Sequence, residues 1–472
     1  MYFHSPQFIV FIGLAFALYW GVAQWRWPRM LVLLAVSGAF YASFSPWMLA
    51  TVAWYALLNW GASKLIARSE VSWQRRAVMI AVVVHHLGIL CTFKYGDLFR
   101  LTAVGALRLV GVDVGDPEPL GLLLPVGLSF ITFAAIASVV EVWRGNSGTH
   151  YNYLEHLLSL LFFPVVVSGP ILRPEHLLQK LNEVPTLTPE DGGRGMFRIA
   201  RGIAKKLLIA DVLAAGIVDR VYAHPADFTS AETAIATIAY SLQLYFDFSG
   251  YTDIAIGSAQ LFGFKLPENF NKPYHARNLF EFWNRWHQTL SNWLRDYLYR
   301  PMGGSRVSRP RVLLNLMTVM FLGGLWHGSD WRFAAWGFIH GVLLCGLRAW
   351  WWWRGKPKEY TLAGTVMGIT VTFTAVVLSR IVFRAEDLGR ALEVVQQMLL
   401  FTPGLANVQP VVWVAFIGAI VAYVLPARLA TGAQDVFVKM PAPVRAVALV
   451  GLGLLMRQIA TFEVQPYIYF QF

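Results

Sequence analysis

The sequence predicts an all-α polytopic membrane protein with about ten to twelve transmembrane helices, since a bilayer core takes roughly 20 apolar residues per span. Re-entrant and amphipathic helices are expected between the spans. Three observations carry this. The 472 residues are 56% hydrophobic and only 14% charged, with a mean hydropathy of +0.50, whereas a soluble domain carries roughly 25% charged residues. The apolar residues come in long blocks, not in the stripes of a water-soluble core. Basic residues collect in alternate early loops, as they do where a chain crosses a membrane repeatedly.

FIVFIGLAFALYW (8–20) reads as the first membrane helix. The preceding MYFHSPQ holds no Lys or Arg and no small-x-small site follows, so the block is expected to be retained and not cleaved as a signal peptide. Arg26 and Arg29 follow it, SFSPW (43–47) is uncharged, and Lys64, Arg68, Arg75 and Arg76 form the next basic group. The positive-inside rule then puts the N-terminus outside and both basic loops in the cytoplasm. RAVMIAVVVHHLGILCTF (76–93) crosses next, the acidic turn DVGDPEP (113–119) falls outside, and LGLLLPVGLSFITFAAIASVV (120–140) follows. VVWVAFIGAIVAYVL (411–425) is a further span. The net charge of +12 reads as orientation signal, so no nucleic-acid partner is expected. Cys91 and Cys345 both lie in apolar segments, which suggests neither a disulfide nor a thiolate metal site.

The middle third, about 150–330, differs. LLSLLFFPVVVSGPILRP (157–174) stops at Ser-Gly-Pro, and YFDFSGYTDIAIG (245–257) interleaves acids with aromatics. Irregular or polar backbone at membrane depth survives only where protein or a water-filled cavity covers it. Two readings stand: ordinary extramembrane loops, or re-entrant elements around a polar pocket, which we prefer. No internal repeat or linker separates the chain, so 1–472 is treated as one membrane domain whose candidate functional core is about 120–345.

Read as one helix, NLFEFWNRWHQTLSNWLRDYLYR (278–300) places Trp283, Trp286, Leu290, Trp293, Leu294 and Tyr297 on one face. Glu281, Arg285, Gln288, Asn292, Arg295 and Asp296 gather opposite, and His287 falls with the apolar set. Such a basic amphipathic helix can simply lie in the headgroup layer of the lipid, but that leaves the histidine unexplained. In FLGGLWHGSDWRFAAWGFIHG (321–341), Gly323, Gly324 and Gly328 bracket Leu-Trp-His, giving His327 room. An ionisable residue at membrane depth is costly and is read as functional by default. A neutral packed histidine is the competing reading, and it suits His340, His85 and His86 better. Asp247 and Asp253 flank Ser249-Gly250-Tyr251, which leaves a proton- or ion-conducting transporter open. No nucleophile elbow, HExxH pair, Walker loop or dinucleotide fingerprint occurs, and no metal is expected.

QLYFDFSGYTDIAIG (243–257), PENFNKPY (267–274), EFWNRWHQTLSNWLRDYLY (281–299) and LGGLWHG (322–328), in that order, resemble the membrane-bound O-acyltransferase superfamily, and most closely its bacterial alginate O-acetyltransferase-like branch. FKYGDLF (93–99), LPVGLSFITF (124–133), SGPILRP (168–174), KKLLIAD (205–211) and YIYFQF (467–472) extend the resemblance over nearly the whole chain. The resemblance implies a helical fold around a central tunnel, in a multi-pass protein of the bacterial inner membrane. It implies an essential histidine, carried onto His327, and a second polar residue, carried onto His287. It further implies acetyl-CoA as cytoplasmic donor, a hydroxyl acceptor on an extracytoplasmic polysaccharide, and a periplasmic partner acetyltransferase. On that reading Arg285, Arg295 and Arg300, with Arg306, are candidates for the coenzyme A phosphates, and Trp326, Asp247, Ser249, Asp253 and Asn284 for the pocket. An acyl or D-alanyl carrier protein is the alternative donor, and an acetyl or proton conduit the alternative class. The chain departs from the branch at Ile131, Ala134 and Ala135, where an aromatic and an acid are usual, which puts the acceptor in question.

Overall fold

The structure, a computed structural model, describes residues 1–112, 114, 115, 117–146, 151–459 and 466–468. Asp113 and Asp116 of the acidic turn and residues 469–472 of the terminal string lie outside the described residues. Regular structure among the described residues is helical. The chain forms two compact units, Met1–Thr186 with Phe262–Leu266, and Leu187–Leu261 with Pro267–Phe472.

The first unit contains α1 (Pro6–Gly21), α2 (Arg26–Ala42), α3 (Met48–Arg68), α4 (Ser72–Leu109), α5 (Leu128–Arg144) and α6 (Tyr153–Leu161). Ser5 caps α1 by accepting from the Phe8 amide, and Asn152 and Glu155 form a reciprocal capping box on α6. Only the second half of 120–140 is helical. It starts after Gly127, whose φ of 74° needs no Cβ, and α5 is buried along nearly its whole length. Ile131 and Ala134 line a cavity of about 20 Å³ with residues of α6 and the turn after it, and the Ala135 carbonyl accepts from Asn59 Nδ2 at 3.0 Å.

Two of the charges read as orientation signals also hold the fold. Arg29 is only 2% exposed, and its guanidinium donates to the carbonyls of Ala23, Leu181 and Glu183 at 2.6, 2.7 and 2.8 Å. Arg26 pairs with Glu155. Carbonyls left over at turns need donors, and a fork of N–H groups supplies several at once. The packed-histidine reading holds for His86, whose Nε2 meets Asn59 Oδ1 at 3.0 Å, and His85 Nε2 accepts from Trp54 at 3.3 Å.

The second unit contains α7 (Pro189–Ala204), α8 (Ser230–Leu261), the short α9 (Leu279–Trp283) and α10 (Gln288–Leu294), α11 (Arg309–His327), α12 (Trp331–Arg354), α13 (Leu362–Arg384), α14 (Leu388–Leu399), α15 (Pro410–Val424), α16 (Ala427–Lys439) and α17 (Ala442–Ile459). Among the described residues, α4, α12 and α13 are long and apolar enough to cross a membrane. The pair Pro410–Val424 and Arg428–Lys439, bent by 94°, adds a fourth if it counts as one span. Pro6–Gly21 and Ala442–Met456 are apolar but shorter.

YFDFSGYTDIAIG was expected to be broken. It lies instead within the uninterrupted 32 residues of α8. Its acids do not break the helix because α7 and the turn after it neutralise them. Asp253 accepts from Arg198, Arg201 and Lys205 at 3.0, 2.6 and 2.7 Å, and Asp247 from Lys206 at 2.8 Å. The approach is close because glycines meet: a Cβ on Gly202 would lie 2.5 Å from the Gly250 carbonyl oxygen. The 157–174 run does break, after Leu161, into buried turns.

The single amphipathic helix expected over 278–300 is also corrected. It is split into α9, a turn through Asn284–His287, α10, and a π-helical turn Arg295–Tyr299. Asn269 of PENFNKPY backs the break. Its carbonyl accepts from the Gln288 amide at 2.9 Å, and its Oδ1 accepts from Thr289 Oγ1 at 2.6 Å. Trp286 and Asp296 are both buried, so the segment does not divide into one wet and one apolar face.

Candidate active site

His327 is the last residue of α11, and α11 lies along α12 with almost no space between their backbones. A Cβ on Gly324 would meet the Phe333 carbonyl oxygen at 2.3 Å, so the glycine bracket is first a device for close packing. That packing surrounds the His327 ring with Trp326, Trp336 and Phe383 at centroid distances of 5.2, 5.3 and 5.3 Å. The residue is only 5% exposed, yet it borders two spaces. One is a cavity of about 220 Å³, lined among others by Trp283, Asn284, Arg295, Tyr299, Gly323 and Arg348. The other, about 10 Å³, is shared with Trp286, His340 and Arg380, and is about the size of one water. A buried imidazole that opens onto a cavity of ligand scale can meet a reacting atom while staying poorly solvated.

His287 is 0% exposed and sits in the break between α9 and α10, with φ 42° and ψ 56°. Left-handed backbone is uncommon for a side-chain-bearing residue and persists only where the surroundings enforce it. Phe248 of α8 packs edge-on to its ring at 4.7 Å and Trp326 at 6.1 Å. Trp326 therefore stands against both imidazoles. His287 does not line the 220 Å³ cavity, so its route to the chemistry runs through Trp326 and His327. This geometry gives an expected result. His287→Gly should unfold at higher temperature than His287→Ala, because glycine takes the left-handed conformation without steric cost. If the ring acts on His327, both variants should lose acyl transfer by a similar factor, about tenfold for a lost interaction near 1.4 kcal/mol. Thermal denaturation in detergent together with a transfer assay separates the two effects.

The remaining candidates divide by location. Asn284 and Arg295 join His327 at the 220 Å³ cavity. Trp326 packs against both histidines without lining that cavity. Arg295 and Arg300 both pair with Asp296, at 3.0 and 2.9 Å, and Arg285 Nη2 donates to Glu281 at 2.6 Å. Burial alone would raise the Glu281 carboxyl, but hydrogen bonds from Arg277 and Arg285 outweigh it and hold the group below the ordinary glutamate range. Asp253 and Ser249 lie in the Arg198, Arg201 and Lys205 network, Ser249 Oγ accepting from Lys205 at 3.2 Å. Asp247 lines a separate cavity of about 340 Å³. His340 Nε2 lies 3.0 Å from Ser379 Oγ, the local partner expected for a packed histidine.

Arg348 was missed. It lines the 220 Å³ cavity with its guanidinium over the Phe280 and Trp351 rings, at 4.8 and 5.9 Å, and no carboxylate among the described residues pairs with it. A lone arginine in GLRAWWWW near the end of a candidate span was the available signal. Among the described residues, no group of three or more His, Cys, Asp or Glu side chains is placed to hold a metal.

These features define a helical membrane protein with an imidazole set between packed spans and a ligand-sized cavity. Residues 144–358 match the model of the MBOAT, membrane-bound O-acyltransferase family. The probable alginate O-acetylase AlgI of Pseudomonas aeruginosa is 35% identical over 85% of this chain and 75% of its own length. The peptidoglycan O-acetyltransferase of Helicobacter pylori is 30% identical over 84% of this chain and 79% of its own. The teichoic acid D-alanyltransferase of Streptococcus thermophilus is 29% identical over 61% and 74%. The chain belongs to the membrane-bound O-acyltransferase family and is a multi-pass membrane O-acyltransferase of the AlgI type.

Proposed function

We propose that the protein takes an acetyl group from cytoplasmic acetyl-CoA and delivers it across the bacterial inner membrane to a hydroxyl of an extracytoplasmic polysaccharide or of a periplasmic partner acetyltransferase. The observation that carries this reading is His327, buried among aromatic rings yet bordering the 220 Å³ cavity. In the reaction, the imidazole of His327 removes the acceptor hydroxyl proton as its oxygen attacks the thioester carbonyl carbon. The C–S bond then breaks and the thiolate leaves, taking up a proton. Positioned proton transfer of this kind contributes roughly 10²–10⁴-fold. His287 is a positioning residue that fixes His327 through Trp326.

The donor phosphates fall to the cavity's cations. Arg348 is the best placed, having no carboxylate to satisfy among the described residues, whereas Arg285, Arg295 and Arg300 already hold carboxylates. Similarity to a D-alanyltransferase keeps a carrier-protein donor as the second reading. The conduit reading loses support from Asp247 and Asp253, because both are held in ion pairs. Radiolabelled acetyl-CoA supplied to membranes containing the protein tests the donor. We expect label in a hydroxyl ester, with unlabelled acetyl-CoA competing and an acylated carrier protein without effect. Transfer from the carrier alone would establish the second reading.

A further inference from the structure

WWWW (350–353) closes α12, and a cation lies over every one of the four rings. Arg354 sits over Trp350 and Trp353, at 5.8 and 4.5 Å from the ring centroids. Lys356 sits over Trp351 at 5.2 Å and Arg309 over Trp352 at 5.5 Å. Arg309 is the first residue of α11. Residues 328–330 alone join α11 to α12, and the pair runs antiparallel, so the start of one helix and the end of the other meet. At 3.6 residues per turn, four successive side chains encircle a helix. The rings therefore form a collar around this end of α12, with cations seated on it from both helices.

The charge at the collar is one-sided. Residues 301–311 and 349–358 carry Arg306, Arg309, Arg311, Arg354, Lys356 and Lys358, and no Asp or Glu. All six are exposed, and no carboxylate among the described residues pairs with any of them. A guanidinium or ammonium held over a ring keeps N–H groups for a second partner. That partner has to be an anion, and phosphate suits both arginine and lysine.

The flank of α12 below the collar shows what carries the anion. Phe338, Val342, Trp350 and Trp353 are 52%, 47%, 52% and 69% exposed, with Gly346 and Ala349 exposed between them. Steps of three and four put these residues in one apolar stripe. α12 is long and apolar enough to cross a membrane, and tryptophan at the end of a span favours the headgroup level. At 1.5 Å per residue, Val342 lies about 18 Å from Arg354 along the helix, close to the roughly 15 Å of hydrocarbon in one leaflet. A soluble anion would use the cations and leave the stripe bare. An anionic amphiphile covers both.

We propose that the collar is a binding site for an anionic phospholipid, its phosphate among Arg309, Arg354 and Lys356 and its acyl chain along the α12 stripe. The site takes no part in the chemistry at His327, so its test is independent of the transfer reaction.

The purified full-length protein in detergent is titrated with phosphatidylglycerol and phosphatidylcholine of identical chains, and bound lipid is counted by native mass spectrometry. Phosphatidylglycerol should be retained in preference. Arg309→Gln and Arg354→Gln should each lower its affinity about fivefold, the usual worth of one basic residue at an anionic membrane surface. Both residues are exposed, so neither change threatens the fold. Arg354→Lys keeps the charge and should keep most of the preference. Arg68→Gln with Arg76→Gln, which removes two exposed cations elsewhere, should leave it unchanged. Glycerol 3-phosphate in excess, which has the phosphate without the chain, should not displace the lipid. Equal retention of the two lipids by the unaltered protein, or an equal loss in the Arg68/Arg76 variant, would overturn the inference. Displacement by glycerol 3-phosphate would overturn it in favour of a soluble phosphate, and displacement by an acidic acyl carrier protein in favour of a protein-docking surface.

Discussion

Replacing His327 by Ala should abolish acyl transfer while leaving a folded protein of normal abundance. The expected loss is roughly 10²–10⁴-fold, the usual worth of a positioned general base. The fold should tolerate the change because the site already borders open space on two sides, at about 220 and 10 Å³, and the helix contact depends on the backbone at Gly324 and not on the imidazole. His340→Ala is the control. His340 shares the small space and is equally buried, but it is held by Ser379, so its loss should cost stability and not the chemical step. Initial rates at saturating donor, scaled to folded protein, distinguish the two. A His327→Ala protein with full activity would remove the base from the account.

The second large effect falls on stability. Asp253→Asn removes the carboxylate that holds Arg198, Arg201 and Lys205 against α8. Breaking a buried pair costs about 3–5 kcal/mol, because the partner charges stay behind. Arg198 keeps Glu268 at 2.6 Å and Arg201 is a third exposed, so the lower end of that range is expected. Scanning fluorimetry in detergent should show a marked fall in melting temperature, with transfer per folded molecule retained. The conduit reading expects the reverse: normal stability and lost function. This one substitution therefore separates the two classes.

Much of the site was legible because its blocks are contiguous and each carries its own chemistry. LWHG between glycines pointed to a histidine in tight apolar packing, and the structure places His327 there with Gly324 against α12. What sequence periodicity hides is backbone that leaves the helix for a few residues. The 278–300 segment satisfies an amphipathic pattern, yet Asn269, far along the chain, bonds residues 288 and 289 and stabilises a left-handed His287. No local rule reports such a long-range clamp. The opposite error arose at 245–257, where acids suggested a broken element. The arginines and lysines that neutralise them lie some 40 to 55 residues earlier, so α8 stays whole. Arg29 carries a structural role beyond the orientation reading, because a loop cation and a cation bonded to carbonyls 152 and 154 residues away look identical in sequence. Arg348 stands alone in the apolar run GLRAWWWW, where no motif singles it out.

The proposal that His327 passes an acetyl group from a donor on one side to a hydroxyl on the other is tested most directly in sealed inverted membrane vesicles. Radiolabelled acetyl-CoA is added outside and ester-linked label is measured in the lumen, beyond the reach of external alkaline hydroxylamine. The account predicts luminal ester that depends on His327, with His327→Ala at background and His340→Ala close to the unaltered protein per folded molecule. Equal luminal ester in His327→Ala vesicles, or ester confined to the outer face, would contradict it.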